Sequence, residues 1–289
     1  MYPLLFAPRL VLILVGITYF VGTRKDNTRM KNVALITGAS SGIGLELAKI
    51  HGSQKNDLVL VARSTNKLLK LKNELESQYG IQVLNIPKDL SIPEAAQEVY
   101  EVVIEKGIEV EYLINNAGMG DFGLYHETSW EKEEMMINLN ILALSQFTKL
   151  FGSDMVKRGH GRIMNISSTA AFQPGPLMAV YYASKHYVQA YSEALYEEWK
   201  EFGVSVTALC PGATATSFSE VADMEDSKLF KGKKLPSASE VAEYGHKAMM
   251  KGEMVAIHGA MNSIMAKSAK FAPKKMVLKM VRKIQEKDK

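Results

Sequence analysis

The chain has 289 residues, 47% hydrophobic and 23% charged, with 35 Lys+Arg against 31 Asp+Glu. That length fits one large α/β domain or two small ones, and a net charge of +4 is too small to point to nucleic acid. A lone cysteine, Cys210, excludes an internal disulfide framework, and the six histidines lack metal-ligand spacing to a carboxylate or thiol, so no metal is expected.

Residues 10–22 (LVLILVGITYFVG) carry no charge, and only Arg9 interrupts the apolar run back to Met1. Such a run falls short of the roughly 20 residues that span a bilayer, but extension back through Tyr2, with Arg9 near an interface, reaches that length. Arg24, Lys25, Arg29 and Lys31 follow, and more positive charge after the run than before it favours a C-terminal domain facing the cytosol. Residues 1–23 are therefore expected to be a membrane anchor. An apolar arm packed on this chain or a partner, and a cleaved signal, are the alternatives.

Residues 32–37 (NVALIT) read as a strand covered on both faces. The run ends in Thr37, Gly38, Ala39, Ser40, Ser41, Gly42, Ile43 and Gly44, and a helical pattern follows. Strand, glycine turn and helix place backbone N–H groups and a positive helix end against a pyrophosphate. The spacing, G-x-x-x-G-x-G, departs from the G-x-G-x-x-G fingerprint, and a plain tight turn is the competing reading. A second strand, 57–62, ends at Arg63. At that end an acid suits a free ribose 2′-hydroxyl and an arginine suits a 2′-phosphate, which favours NADP over NAD. The competing reading is a solvated arginine ahead of a helix over 64–79, with Ser64 as its N-cap.

Residues 82–86 form the next expected strand, with Asp89 and Leu90 following where a side chain reaches an adenine. Ser91 and Glu94 read as a capping box for a helix ending at Lys106. The strand 110–114 leads into Asn115, Asn116, Ala117 and Gly118, and 130–157 is one long helical pattern around Asn140. That asparagine is either a buried, hydrogen-bonded structural residue or a holder of water near a site. The strand 162–166 ends on Ser167 and Ser168, and a Pro/Gly loop leads to a helix over 181–199. Tyr181 and Lys185, four apart, share a helix face that Tyr182 does not. A free tyrosine has a pKa of about 10, and a nearby ammonium lowers it towards a useful general acid/base. A plain helix-surface pair is the alternative.

A strand over 204–209 precedes Cys210, read as a buried structural thiol, and then Pro211, Gly212 and Thr216. Residues 216–236, with Phe218, Val221, Met224, Leu229 and Phe230, read as a greasy mobile flap. Ser237 and Glu240 cap another helix, and 254–257 is a last short strand. The tail, 261–289, is basic and amphipathic with nine Lys/Arg. It reads either as a membrane-surface helix or as an element closing the substrate pocket or packing on a partner. Nothing divides 31–260, which is expected to be one dinucleotide-binding catalytic domain.

These motifs occur together in the order Thr37-Gly38-x-x-x-Gly42-x-Gly44, Asp89, Asn115-Asn116-Ala117-Gly118, Asn140, Ser168, Tyr181-x-x-x-Lys185, Pro211-Gly212 and Thr216. Over 31–258 the chain resembles the short-chain dehydrogenases/reductases of the single-domain branch. The resemblance implies a doubly wound, Rossmann-type α/β fold, a parallel sheet with helices on both faces. To it this chain adds an apolar N-terminal helix and a basic helical tail. It also selects Ser168 over Ser167, since the family's serine precedes the tyrosine by the interval found here. It implies Tyr181 as proton donor, Ser168 as orienter of the carbonyl oxygen, Lys185 on the tyrosine and the nicotinamide ribose, and Asn140 as holder of a relay water. Asn116 is implied near the adenosine ribose, Asp89 near the adenine and Thr216 near the carboxamide. Ser40, Ser41, Ile43, Leu90, Ala117, Gly118, Pro211 and Gly212 complete the expected cofactor contacts.

The expectation is thus an NADP(H)-dependent oxidoreductase that interconverts a carbonyl and an alcohol, acting as a reductase on a lipophilic ketone or aldehyde of lipid, steroid or acyl type. A homodimer or homotetramer is expected. The competing readings are an NAD-dependent alcohol dehydrogenase working oxidatively and a non-catalytic nucleotide-binding scaffold.

Overall fold

The computed structural model describes residues 30–232, 234–269 and 271–286. The expected membrane anchor, and the cytosolic orientation read from the charges beside it, lie outside the described residues. No helix among those described is long and apolar enough to cross a membrane.

Seven strands form one parallel sheet: β1 (Val33–Thr37), β2 (Leu58–Ala62), β3 (Val83–Pro87), β4 (Val110–Asn115), β5 (Gly161–Ile166), β6 (Val204–Cys210) and β7 (Val255–Ile257). Their order is β3-β2-β1-β4-β5-β6-β7, so the winding reverses between β1 and β4. Parallel strands need crossovers, and here helices supply them: α1 (Gly42–Ser53), α2 (Thr65–Tyr79), α3 (Ala95–Glu105), α4 (Trp130–Ile137), α5 (Leu144–Arg158), α6 (Ala179–Trp199), α7 (Phe218–Val221) and α8 (Ala238–Lys251). Two further helices, α9 (Ala260–Ala269) and α10 (Lys274–Gln285), close the chain.

Alternation along the strands feeds two cores. Ala34, Ile36, Leu58 and Leu60 face α1, α2 and α8, where Leu47, Leu68, Leu75 and Met249 are fully or almost fully buried. Val33, Leu35, Val59 and Val61 face the other side, against Val99 and Val103 of α3, Phe147 and Phe151 of α5 and Leu195 of α6. Strands buried on both faces explain the unbroken aliphatic runs in the sequence. Caps mark the helix starts as read: Ser64 accepts from the Lys67 N–H at 3.4 Å, and Ser237 with Glu240 forms a reciprocal capping box.

Two expectations change, and two segments find their packing. Ser91 and Glu94 do not form a capping box. The N–H and hydroxyl of Ser91 both donate to Asp89 Oδ1, at 3.0 and 2.8 Å, and the chain turns there before α3 begins at Ala95. The long helix over 130–157 is broken into α4 and α5 by a π-helical segment, Asn138–Ala143, centred on Asn140. Such bulges shift side-chain register locally and concentrate at functional sites. The flap over 216–236 is folded down: Ala222 and Met224 are almost fully buried, in one cluster with Tyr182, Met178, Val277 and Val281, and Phe218, Leu229 and Phe230 pack against it. The tail contributes Val277 and Val281 of α10 to that cluster.

Candidate active site

Because every strand is parallel, the loops after β1 to β6 leave from one edge of the sheet. The site is assembled along that edge, where the strand order reverses.

The glycine loop after β1 is fixed from below by Thr37 and from the side by Asn116. Thr37 Oγ1 accepts from the N–H groups of Asn116 and Ala117, both at 3.0 Å, tying the end of β4 to the end of β1. Asn116 Nδ2 donates to the carbonyls of Thr37 and Gly38 at 3.0 and 3.2 Å. Two glycines make this approach possible. A Cβ on Gly44 would lie 2.4 Å from Asn116 Nδ2, and Gly38, at φ +66°, would meet the same atom at 2.7 Å. Gly42, at φ +56°, faces the methyl of Thr216, whose Oγ1 accepts from the Phe218 N–H at 3.3 Å. Ser41 precedes α1 in extended backbone without capping it through its side chain, and no acid sits in that helix's first turn. The first N–H groups of α1, around Ile43 and beside Ser40, therefore present an uncapped positive end.

Arg63 stands exposed one residue beyond β2, and Leu90 is buried beyond β3. The Asp89 carboxylate is engaged by Ser91 as described. The Pro211 carbonyl accepts from the Thr169 N–H at 2.9 Å, and Gly212 lies so close to Asn262 that a Cβ would reach its Nδ2 at 2.5 Å. The turn after β6 is thus held between the loop after β5 and α9.

The residues expected to transfer the proton meet at the ends of β4 and β5. Tyr181 and Lys185 lie on one face of α6, with the Lys185 ammonium 5.8 Å from the tyrosine ring centroid. Ser168 Oγ accepts from the Ala170 N–H at 3.1 Å, and its hydroxyl is near enough to the Tyr181 phenol to favour the phenolate. Ser167 is buried instead, donating to the Lys185 carbonyl at 3.0 Å. Lys185 Nζ donates to the Ile166 carbonyl at 2.8 Å. Gly118 passes directly in front of this group, its Cβ direction 3.5 Å from Lys185 Nζ and 3.2 Å from Asn140 Oδ1.

Asn140 is gripped by protein on both ends of its amide. Its Nδ2 donates to the Met119 carbonyl and to Ser184 Oγ, at 2.9 and 3.1 Å, and its Oδ1 accepts from the Met119 N–H at 3.0 Å. Its side chain thus clamps the loop after β4 onto α6. Ser184, which completes the clamp by donating to the Tyr181 carbonyl at 2.7 Å, has no periodic signature in the sequence. The contact of the Tyr181 and Phe218 rings, 5.3 Å apart, was equally illegible. Phe218 rests where only a glycine fits, since a Cβ on Gly120 would lie 2.8 Å from its ring.

Burial pushes the Tyr181 phenol up to about 12, and the hydrogen bond from Ser168 offsets only part of that. Burial also drives Lys185 down, to about 8. Apolar walls penalise both charged forms. Cys210 behaves as expected: buried, pushed up to about 12 by burial, with its Sγ donating to Gln189 at 2.9 Å.

Sheet order, glycine loop and the tyrosine–lysine face together define a class, and the wider comparison agrees. Residues 32–226 match the short chain dehydrogenase family, and the chain belongs to that family of oxidoreductases. Among named proteins it is similar to the very-long-chain 3-oxoacyl-CoA reductases of Rattus norvegicus and Anas platyrhynchos, at 30% and 32% identity. Those alignments cover 72% and 65% of this chain but 65% and 61% of the relatives, so it spans just under two thirds of their length. A 2-dehydro-3-deoxy-D-gluconate 5-dehydrogenase of Bacillus subtilis (strain 168) is 33% identical over 64% of this chain and 71% of its own. Among solved structures, a short-chain dehydrogenase from Sphingobium yanoikuyae in complex with NADPH superposes with a TM-score of 0.75 at 30% identity, covering 89% of this chain and 98% of that one. An L-sorbose reductase from Gluconobacter frateurii, complexed with NADPH and L-sorbose, gives 0.68 at 26% identity, covering 79% and 95%.

Proposed function

We propose that this enzyme reduces a lipophilic ketone or aldehyde with NADPH, using Tyr181 as the proton donor. The observation that carries the reading is the convergence of the Tyr181 phenol, the Ser168 hydroxyl and the Lys185 ammonium beside Gly118, at the strand-order reversal. The same edge fits a dinucleotide. The uncapped, acid-free start of α1 suits a pyrophosphate, with Gly38, Ser40, Ser41, Gly42, Ile43 and Gly44 allowing close approach. Arg63 is the cation for a 2′-phosphate, Asp89 and Leu90 flank an adenine position, Asn116 serves the adenosine ribose, and Ala117, Gly118, Pro211, Gly212 and Thr216 line the path to the nicotinamide end. NADPH in the relatives' crystal structures supports the choice.

When bound, the nicotinamide supplies a hydride to the carbonyl carbon. Ser168 donates a hydrogen bond to the carbonyl oxygen, and its stabilisation grows as that oxygen gains charge. Tyr181 passes its phenolic proton to the same oxygen. Lys185 holds the ribose and stabilises the phenolate that forms, while Asn140 positions α6 through Ser184 and holds the loop after β4 in front of the lysine.

The lipophilic substrate follows from the wall around the phenol: Phe122, Met178, Phe218, Met224, Leu229 and Phe230 share its cluster. Similarity to oxoacyl-CoA reductases supports an acyl ketone. The test is NADPH oxidation against a panel of 3-oxoacyl thioesters, steroid ketones and small polar carbonyls. Turnover confined to the polar compounds refutes the substrate class, and full activity in Tyr181→Phe refutes the proton donor. The same reading assembles the enzyme as a homodimer or homotetramer through α5 and α6, where Leu142 nearby and Tyr187 are exposed. A monomeric mass by light scattering would reject that.

A further inference from the structure

The last two helices are built inside out. On α9, Met261, Ile264 and Met265 recur at the spacing of a single helix face, yet they are 65%, 60% and 48% exposed. Only Ala266 of that helix is buried. Phe271, in the turn before α10, is 85% exposed. Val277, Val281 and Gln285 of α10 face inward, and on the adjoining shoulder Met276, Met280 and Ile284 stand in solvent. A single exposed apolar residue needs no explanation, but a contiguous run of them on two successive helices marks an interaction surface.

Charge identifies its partner. Residues 260–289 hold nine Lys/Arg and two Asp/Glu, a net +7, so the remaining 259 residues sum to −3 within the total of +4. On α10, exposed Lys275, Lys279 and Lys283 recur four apart along one flank of the Met276, Met280 and Ile284 stripe, and Lys267 and Lys274 are exposed as well. A second copy presenting the same surface would set these cations against one another. Anionic lipid headgroups over an acyl layer complement both parts.

We propose that α9 and α10 dock the enzyme on an anionic lipid bilayer, with Met261, Ile264, Phe271 and Met276 entering the headgroup–acyl boundary and the lysines on lipid phosphates. The inward face of α10 belongs to the cluster that walls Tyr181, so docking brings the proposed lipophilic site against the membrane. Docking itself does not depend on the chemistry assigned to that site.

The test uses the full chain with Ile264→Cys carrying an environment-sensitive fluorophore, the native Cys210 being buried, and Glu105→Cys at the far end of the sheet as the control label. Phosphatidylglycerol-containing vesicles are expected to blue-shift the 264 label and expose it to quenching by brominated lipid, with little response to pure phosphatidylcholine and none at 105. The triple variant Lys275→Glu/Lys279→Glu/Lys283→Glu is expected to lower partitioning about tenfold or more. Four outcomes overturn the proposal. They are no vesicle binding, binding with an unshifted 264 label, equal response to neutral and anionic vesicles, or a lipid-free shift that grows with protein concentration. The last would assign the surface to a second copy.

Discussion

The side-chain amide of Gln285, on the last helix, donates a hydrogen bond to the phenolic oxygen of Tyr182, a buried residue 103 positions earlier and adjacent to the proposed proton donor. The tail is thereby attached to the helix that carries the chemistry. Lys228 N–H donation to the Glu286 carbonyl, at 3.2 Å, ties the folded flap to the same end. Gln285→Ala removes the donor and leaves the Tyr182 hydroxyl buried without it, at a cost of about 1–3 kcal/mol. Urea unfolding of the variant should show that loss, and an unchanged midpoint would mean the tail contributes nothing to the fold.

Tyr181→Phe keeps ring packing against Phe218 and removes only the phenolic oxygen. Turnover should fall by about 10² to 10⁴, with NADPH affinity retained. Ser168→Ala should lower turnover by about 10² to 10³, as for the loss of one donor to a developing oxyanion. Steady-state kinetics with fluorescence titration of NADPH separates the two effects. Loss of cofactor binding in Tyr181→Phe would point to a structural role.

Gly44→Ala should disable the loop while leaving the sheet intact. Its Cβ would fall 2.4 Å from Asn116 Nδ2 and 2.6 Å from the Gly38 carbonyl, so the amide that pins the loop must move. Overpacking of this kind costs about 1–3 kcal/mol. NADPH affinity measured by titration is expected to drop much further than stability measured by urea, because the displaced atoms are those facing the pyrophosphate position.

Arg63→Ala should act on the choice of cofactor. A charge-assisted contact is worth about 1.5–3 kcal/mol, so the affinity for NADPH is expected to fall by roughly 10- to 100-fold while that for NADH changes little. Equal losses for both cofactors would remove Arg63 from the 2′-phosphate.

Acid should weaken the fold through His51. This histidine, fully buried on α1, accepts from Asn56 Nδ2 at Nδ1, 3.0 Å away, and its ring lies edge-on to His246 at 4.9 Å. Burial, helped by the nearby His246, lowers it from 6.5 to about 3. The folded form therefore holds the ring neutral, and the stability it confers is complete above about pH 6.5 and declines as pH falls towards 3. The full effect is on the order of 4 kcal/mol. Urea midpoints measured from pH 7 to pH 4 should fall, and should fall less steeply in His51→Leu. Parallel slopes for the two proteins would exclude His51 as the source.

The strands, the glycine loop and the shared face of Tyr181 and Lys185 were legible because they depend on local order. Two-residue alternation, four-residue helical spacing and a glycine cluster between strand and helix are written along the chain itself. What became of those residues depended on groups far away in sequence. Asn140 was readable as special, but not that Met119 and Ser184 would grip it inside a π-helical segment. Tyr181 and Lys185 were readable as a pair, and only the packed walls decided how far burial would act on each. Likewise, amphipathicity announced the tail, yet whether its apolar residues would turn in or out was set by Tyr182, Met224 and the flap, which fill one face of α10 and leave the other, with all of α9's methionines and isoleucine, in water. Periodicity fixes which residues travel together, whereas desolvation and partnering are properties of the assembled surroundings.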